Sequence, residues 1–192
     1  MNENSLLRNT ISLRKHYLYT GTEEMMETKL RRISEISQNN PREVFTSIGH
    51  LVNKEMLEIC HREMDKAVGI DGVGKEKYEE NLDVNLERLA EALKNKSYKP
   101  QPAKRVYIPE GNGKTRPLGI NAYEDKLVQQ ALKKVLEAVF EPRFRDCMFG
   151  FRPGRSCHDA LKRLNSIIER GKTSYILDAD IEGFLITLTM RC

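Results

Sequence analysis

Apolar residues recur at three- and four-residue steps through most of this chain, a period that predicts a largely helical protein. Residues 1–22 are polar and keep no firm period, so they read as a weakly ordered leader. From Glu23 the period sets in, with Met26, Leu30, Ile33 and Ile36 on one helical face. Asn39-Asn40-Pro41 interrupts it, and Pro41 suits the first turn of a second short helix bearing Val44, Phe45, Ile48 and Leu51. Met56, Leu57, Cys60 and Met64 predict a third. Gly69-Ile70-Asp71-Gly72 then predicts a tight turn, because glycine tolerates dihedrals that other residues do not. Leu82, Leu86, Leu89 and Leu93 stripe the next helix and read as a packing face; Gly74 precedes it and caps less well than a hydroxyl residue.

Beyond residue 99 the period changes. Arg105-Val106-Tyr107-Ile108 has strand character, and Asn112-Gly113 is a strong hairpin dipeptide. The two together predict a β-hairpin at 104–118, with arms at 104–108 and 114–118. Residues 124–140 keep a 3.6 period through Leu127, Val128, Ala131, Leu132, Val135, Leu136 and Val139, and Pro142 closes that helix. Ser156 caps a further helix carrying Ala160, Leu161, Leu164 and Ile167, with Asp159 placed for a capping box and Gly171 at its end. Residues 174–180 predict a strand. The organisation expected is a leader at 1–22, helices over 23–68, a segment with the hairpin over 69–173, and a strand plus tail over 174–192. The class is α+β.

Composition narrows this picture. No apolar run approaches the roughly 18 residues that cross a bilayer, and the N-terminus lacks an apolar signal segment. The cysteines (Cys60, Cys147, Cys157, Cys192) form no C-x-x-C pair, so a reduced, cytoplasmic setting without disulfide or zinc is expected. The net charge of +4 is unevenly placed: residues 94–116 carry a local +6 and residues 143–163 a local +4, leaving −6 elsewhere. A lone basic patch is equally well a solvated face. Here both patches coincide with motifs that favour a phosphate backbone as partner.

Three runs carry those motifs. The first is Arg105-Val-Tyr-Ile-Pro-Glu-Gly-Asn-Gly-Lys-Thr-Arg-Pro-Leu-Gly-Ile120. The second is Phe149-Gly-Phe-Arg-Pro-Gly-Arg-Ser-Cys-His158, and the third is Leu177-Asp-Ala-Asp-Ile-Glu-Gly-Phe184. In this order and spacing they resemble the group II intron reverse transcriptases, the intron-encoded RNA-directed DNA polymerases and maturases. The resemblance runs from about residue 30 to 184. It implies a mostly helical fingers subdomain with a β-hairpin, plus the first strand of a right-hand polymerase palm.

The resemblance also implies roles. Two magnesium ions serve nucleotide polymerisation, activating the primer 3′-hydroxyl and neutralising the triphosphate. Asp180 is the implied catalytic carboxylate and metal ligand, with the Ile181 carbonyl as an extra ligand; Asp178, on the same strand face, reads as a solvated neighbour. Phe184 is a candidate steric gate against the ribose 2′-hydroxyl, with Leu185 in the neighbouring place. Arg105, Lys114 and Arg116 are expected to close over the triphosphate of an incoming deoxynucleotide. Lys104, Arg152 and Arg155 are expected to bind nucleic acid. His158 reads as a helix-start residue rather than a metal ligand. Glu110 departs from the family, which commonly has lysine after Ile-Pro. The partners implied are intron RNA, an RNA template with a DNA primer, and a deoxynucleotide, with no membrane.

The second catalytic motif of the family, Tyr-Ala-Asp-Asp, is absent from the sequence. The chain alone is therefore expected to be inactive, with folded fingers and 175–192 lacking partners. The family continues past glycine with Phe-Phe-Asp-Asn-Val-Asp-His, whereas this chain reads Phe184-Leu-Ile-Thr-Leu-Thr-Met-Arg-Cys192. Deleting one T from TTT TTT GAT AAC GTT GAC CAT GAG GTG C yields codons for that run, so a frameshifted reading frame is expected, which sequencing of the source DNA checks. Rival readings are a non-catalytic RNA-binding module, an unstable remnant and a retron-type polymerase.

Overall fold

The computed structural model describes residues 3–66, 68–109, 111–171 and 173–181, with side chains from Gly21 onward except Asn112. The chain divides into two units, Met1–Phe144 and Arg145–Cys192. The first holds α1 (Glu3–Asn39), α2 (Lys54–Glu63), α3 (Lys75–Glu79), α4 (Leu82–Lys94), β1 (Lys104–Pro109), β2 (Thr115–Ile120) and α5 (Tyr123–Phe140). The second holds α6 (Cys157–Arg170). Among the described residues this is an α+β arrangement with one two-stranded antiparallel sheet.

α1 takes in residues 3–22 of the segment expected to form a weakly ordered leader at 1–22. Proline is absent there, so no residue breaks the helical backbone although no apolar stripe runs along it. Further along, Met26 and Ile33 are buried and Leu30 partly so. Ile36 is exposed, and Ser37 is buried in its stead. The reason lies at the end of α5, where the last carbonyls of a helix have no partner within it. Ser34 Oγ donates to the Ala138 carbonyl at 3.0 Å and Ser37 Oγ to the Val139 carbonyl at 2.6 Å. A small hydroxyl there satisfies what an isoleucine would cover and leave unpaired.

The helix expected from Pro41 to Leu51 does not form; only a 3-10 turn at Gly49–Leu51 appears. Arg143 explains the difference. Its Nε donates to Ser37 Oγ at 2.7 Å and its Nη2 to the Glu43 carbonyl at 3.0 Å, and its guanidinium lies 5.9 Å from the Phe45 ring. The Glu43 carbonyl is thus engaged by a side chain rather than by the i+4 amide a helix needs. Leu51 is still buried, Phe45 and Ile48 pack against the core, and Val44 is exposed.

The core of the first unit gathers Met56, Leu57 and Cys60 of α2, Leu86 and Leu89 of α4, and Leu127, Val128, Ala131, Val135 and Val139 of α5. α2 starts as its sequence dictates, with the Asn53 side chain accepting from the Met56 amide at 3.0 Å. Leu132 and Leu136, counted in the α5 stripe, lie on its edge and stay about half exposed. Inside the core, His61 Nδ1 meets the Tyr123 hydroxyl at 2.8 Å and His61 Nε2 meets Glu79 Oε1 at 3.2 Å.

In the second unit α6 begins with the expected capping box. The Ser156 hydroxyl accepts from the Asp159 amide, and the Asp159 carboxylate accepts from the Ser156 amide at 2.9 Å. The strand expected at 174–180 is not formed: 173–181 carries no regular structure, and Tyr175, Ile176 and Leu177 are exposed. A strand exists only where a neighbour completes its ladder, and none is present among the described residues. The expectation of a strand at 174–180 is corrected accordingly. No described helix is long and apolar enough to cross a membrane.

Candidate nucleic-acid interface

β1 and β2 pair antiparallel in the register Lys104↔Ile120, Val106↔Leu118 and Ile108↔Arg116, with Arg105↔Gly119 and Tyr107↔Pro117 between. Paired residues share a sheet face. One face therefore carries Lys104, Val106, Ile108, Arg116, Leu118 and Ile120, and the other carries Arg105, Tyr107 and the prolines Pro109 and Pro117. Lys104, Arg105, Lys114 and Arg116 are all exposed. The register thus separates what the motif grouped: Arg105 and Arg116 lie on opposite faces. Lys104 and Arg116 share a face but sit four strand positions apart, roughly 14 Å at the strand rise. Lys114 lies in the turn, beside Gly113 at φ +73°. The loop is longer than the two-residue turn that Asn112-Gly113 suggests, and the arms extend to Pro109 and Ile120.

Two exposed strands are marginal alone, so the hairpin depends on its base. Asp125, buried in the first turn of α5, supplies it. Asp125 Oδ2 accepts from the Gln101 amide at 3.0 Å, and Oδ1 accepts from the Tyr98 hydroxyl. The positive end of the α5 dipole favours a carboxylate there. Burial pushes the Tyr98 hydroxyl pKa up, and the hydrogen bond to Asp125 adds to the shift. Next to it, Glu124 accepts from the Tyr78 hydroxyl at 3.1 Å and pairs with Arg88. The Gly69–Gly72 turn closes on the same helix start. Ile70 N donates to the Asn121 carbonyl at 3.3 Å, and a Cβ on Gly69 would come within 2.6 Å of the Tyr123 amide nitrogen. That glycine is required by close approach rather than by its own dihedrals. Burial raises the Tyr123 hydroxyl to about 12 and lowers the His61 pKa, the latter opposed by the hydrogen bond to Glu79. The cluster ties α2, α3 and α5 together. Sequence reading did not single out Asp125, although an acid in the first turn of a helix was a legible sign.

The second unit presents the loop 145–156. Arg152 Nη1 donates to the Arg145 carbonyl at 2.8 Å and to the Met148 carbonyl at 2.9 Å. Arg155 Nη1 donates to the Asp146 carbonyl at 2.7 Å, its Nη2 pairs with Asp146 Oδ1 at 3.0 Å, and its guanidinium lies 5.5 Å from the Phe149 ring. These arginines, expected at phosphates or bases, staple the loop on which they sit. Phe151, between Gly150 and Arg152, has φ +56° and is fully exposed. His158 sits in the first turn of α6, as a helix-start residue should.

Asp180 is exposed, and its Oδ1 accepts from the Ile181 amide at 2.9 Å. Asp178 is exposed as well. Among the described residues no three Asp, Glu, His or Cys side chains converge on a common point. Two magnesium ions need several oxygen ligands each, so the described donor set does not fit the pair that the motif implies. Phe184, Leu185 and Glu110 lie outside the described residues.

Comparison with known proteins agrees with the order of these motifs. Residues 94–190 match the reverse transcriptase (RNA-dependent DNA polymerase) family. The group II intron-encoded protein LtrA of Lactococcus lactis subsp. cremoris is 36% identical over 158 residues, which cover 80% of this chain and 26% of LtrA. Protein YkfC of Escherichia coli (strain K12) is 38% identical over 126 residues, 64% of this chain and 33% of YkfC. The nuclear intron maturase 2, mitochondrial, of Arabidopsis thaliana is 35% identical over 75 residues, 36% of this chain and 10% of that protein. The chain thus spans 26% and 33% of the lengths of LtrA and YkfC. The matched segment takes in the hairpin, α5, the stapled loop and Asp180, and with this coverage the chain belongs to the reverse transcriptase (RNA-dependent DNA polymerase) family, as a partial domain homologous to group II intron-encoded members.

Proposed function

We propose that this chain supplies the fingers of an intron-type RNA-directed DNA polymerase, gripping template and intron RNA. Its hairpin covers the triphosphate of an incoming deoxynucleotide when catalytic carboxylates beyond the described set are present. The observation that carries this reading is the exposed cationic hairpin on a buried carboxylate clamp. Lys114 at the turn and Arg116 beside it are the cations nearest the tip. They suit a mobile triphosphate, whereas Lys104 and Arg105 near the base suit the backbone of a longer polyanion. Arg105 shares its face with the exposed Tyr107, a pairing of charge and ring that suits RNA.

The carboxylates described do not form a two-ion site, so the chain by itself binds without polymerising. Fluorescence anisotropy of a labelled structured RNA, titrated against the whole chain at several salt concentrations, tests the grip. The expected plot of log affinity against log salt is steep, and each cation removed (Lys104→Gln, Arg105→Gln, Arg116→Gln) flattens it by about 0.7–0.9 for each phosphate left unneutralised. Salt-independent binding, or none, overturns the reading. Primer extension on an RNA template with magnesium is expected to fail with this chain alone; extension would show that a working carboxylate set lies within it.

A further inference from the structure

We infer that Phe151 is a base-stacking residue: the loop 145–156 holds its ring out to receive the face of an unpaired RNA base. The inference rests on the RNA-binding reading above and adds the residue that meets the base.

The backbone makes the first point. Phe151 has φ +56°, in the left-handed region that a bulky aromatic rarely adopts. Such a conformation persists only where its surroundings over-determine it. Here they do. Arg152, next in sequence, is bonded to two carbonyls of the preceding turn, at Arg145 and Met148. Arg155 clamps Asp146 through both its carbonyl and its carboxylate. The capping box of Ser156 and Asp159 fixes the far end of the loop. Gly154 adds a turn at φ +67°.

Exposure makes the second point. The loop has two phenylalanines with opposite fates. Phe149 lies beneath the Arg155 guanidinium. Phe151 is exposed at 108%, more than any other large apolar side chain described. A ring that had merely to be buried had an arginine plane at hand, yet the stapled backbone directs it outward.

Charge makes the third and favours RNA over protein. Residues 145–163 carry five basic and two acidic side chains. Both acids are engaged within the unit, Asp146 with Arg155 and Asp159 with Ser156. An outward aromatic on a cationic surface is the chemistry of a single-strand stacking platform. Every base has a π-face, so such a platform does not depend on sequence.

The chain contains no tryptophan, so Phe151→Trp places a single reporter at the site. In the whole chain its emission is expected to be that of a hydrated indole. Single-stranded oligoadenylate should quench it strongly and a blunt RNA duplex weakly, since only the former offers free base faces. Phe151→Ala and Phe151→Gly should weaken oligoadenylate binding by roughly 5- to 150-fold with the salt slope unchanged, because stacking releases no counterions. Phe151→Tyr should restore most of it. Glycine is at ease at this φ, so Phe151→Gly keeps the test valid if alanine strains the loop; circular dichroism checks the fold.

Three results overturn the inference. Alanine and glycine variants that bind as tightly as wild type make the ring idle. Unchanged tryptophan emission on a chain that anisotropy shows saturated with RNA is the second. An emission shift that tracks protein concentration without RNA is the third, and marks a protein contact instead. A chain that binds no RNA at all fails the broader reading as well, whereas RNA binding with neutral Phe151 variants fails this inference alone.

Discussion

Replacing Asp125 with alanine removes the carboxylate that both Tyr98 and Gln101 use to seat the hairpin on α5. Hydrogen bonds to a charged partner contribute about 1.5–3 kcal/mol each. Tyr98 is only partly buried, so water recovers a share once the carboxylate is gone. Loss of an acid in the first turn of α5 adds about 0.3–1 kcal/mol through the helix dipole. The net expectation is a destabilisation of about 2–4 kcal/mol, a large part of the roughly 5–15 kcal/mol that holds a domain together. At an m-value of about 2 kcal/mol/M, the urea midpoint drops by about 1–2 M. Circular dichroism reads that shift, and hydrogen exchange at 104–109 and 115–120 reads the hairpin directly. Asp125→Asn keeps an acceptor without the charge and should cost about half as much. A double-mutant cycle with Tyr98→Phe should show a coupling of about 1–2 kcal/mol. A midpoint for Asp125→Ala within about 0.5 kcal/mol of wild type, or a cycle with no coupling, would refute the clamp.

Three further outcomes are expected. Burial lowers the His61 pKa in the folded chain, so on acidification the unfolded chain takes up its proton first, near pH ~6.5. Stability should hold above that pH and decline as pH falls through the lowered folded value; equal urea midpoints at pH ~8 and ~5 contradict it. Gly69→Ala would set a Cβ 2.6 Å from the Tyr123 amide nitrogen and should cost about 2–3 kcal/mol. Gly150→Ala, with no atom within 4 Å of its Cβ, serves as a near-neutral control in the same thermal melts. Ser156→Ala breaks the α6 capping box and should cost about 1 kcal/mol of local helix stability; undiminished amide protection through the first turn of α6 would count against the cap.

Much of the local structure was legible because its causes are local. The Ser156 cap, the Gly171 stop and the glycine turn at 69–72 each depend on a few consecutive residues. So does the hairpin, although its loop came out longer than the dipeptide signalled. The helix expected after Pro41 failed for a distant reason: Arg143, about a hundred residues on, takes the Glu43 carbonyl. Ile36 and Ser37 exchanged places because α5 ends against α1 with carbonyls to satisfy.

The same division runs through the candidate site. Periodicity, capping and the order of three motifs determined most of the helices, the hairpin and the family from the chain alone, since these are written in neighbouring residues. Only the tertiary structure decided that Arg105 and Arg116 face opposite ways, that Arg152 and Arg155 staple their own loop, and that Asp125 seats the hairpin. It also leaves 174–180 without a ladder, in line with the lack of partners expected there from the sequence. Register, ion pairing and strand formation each need a second segment, and the free energy of such a contact exists only when both partners are in place.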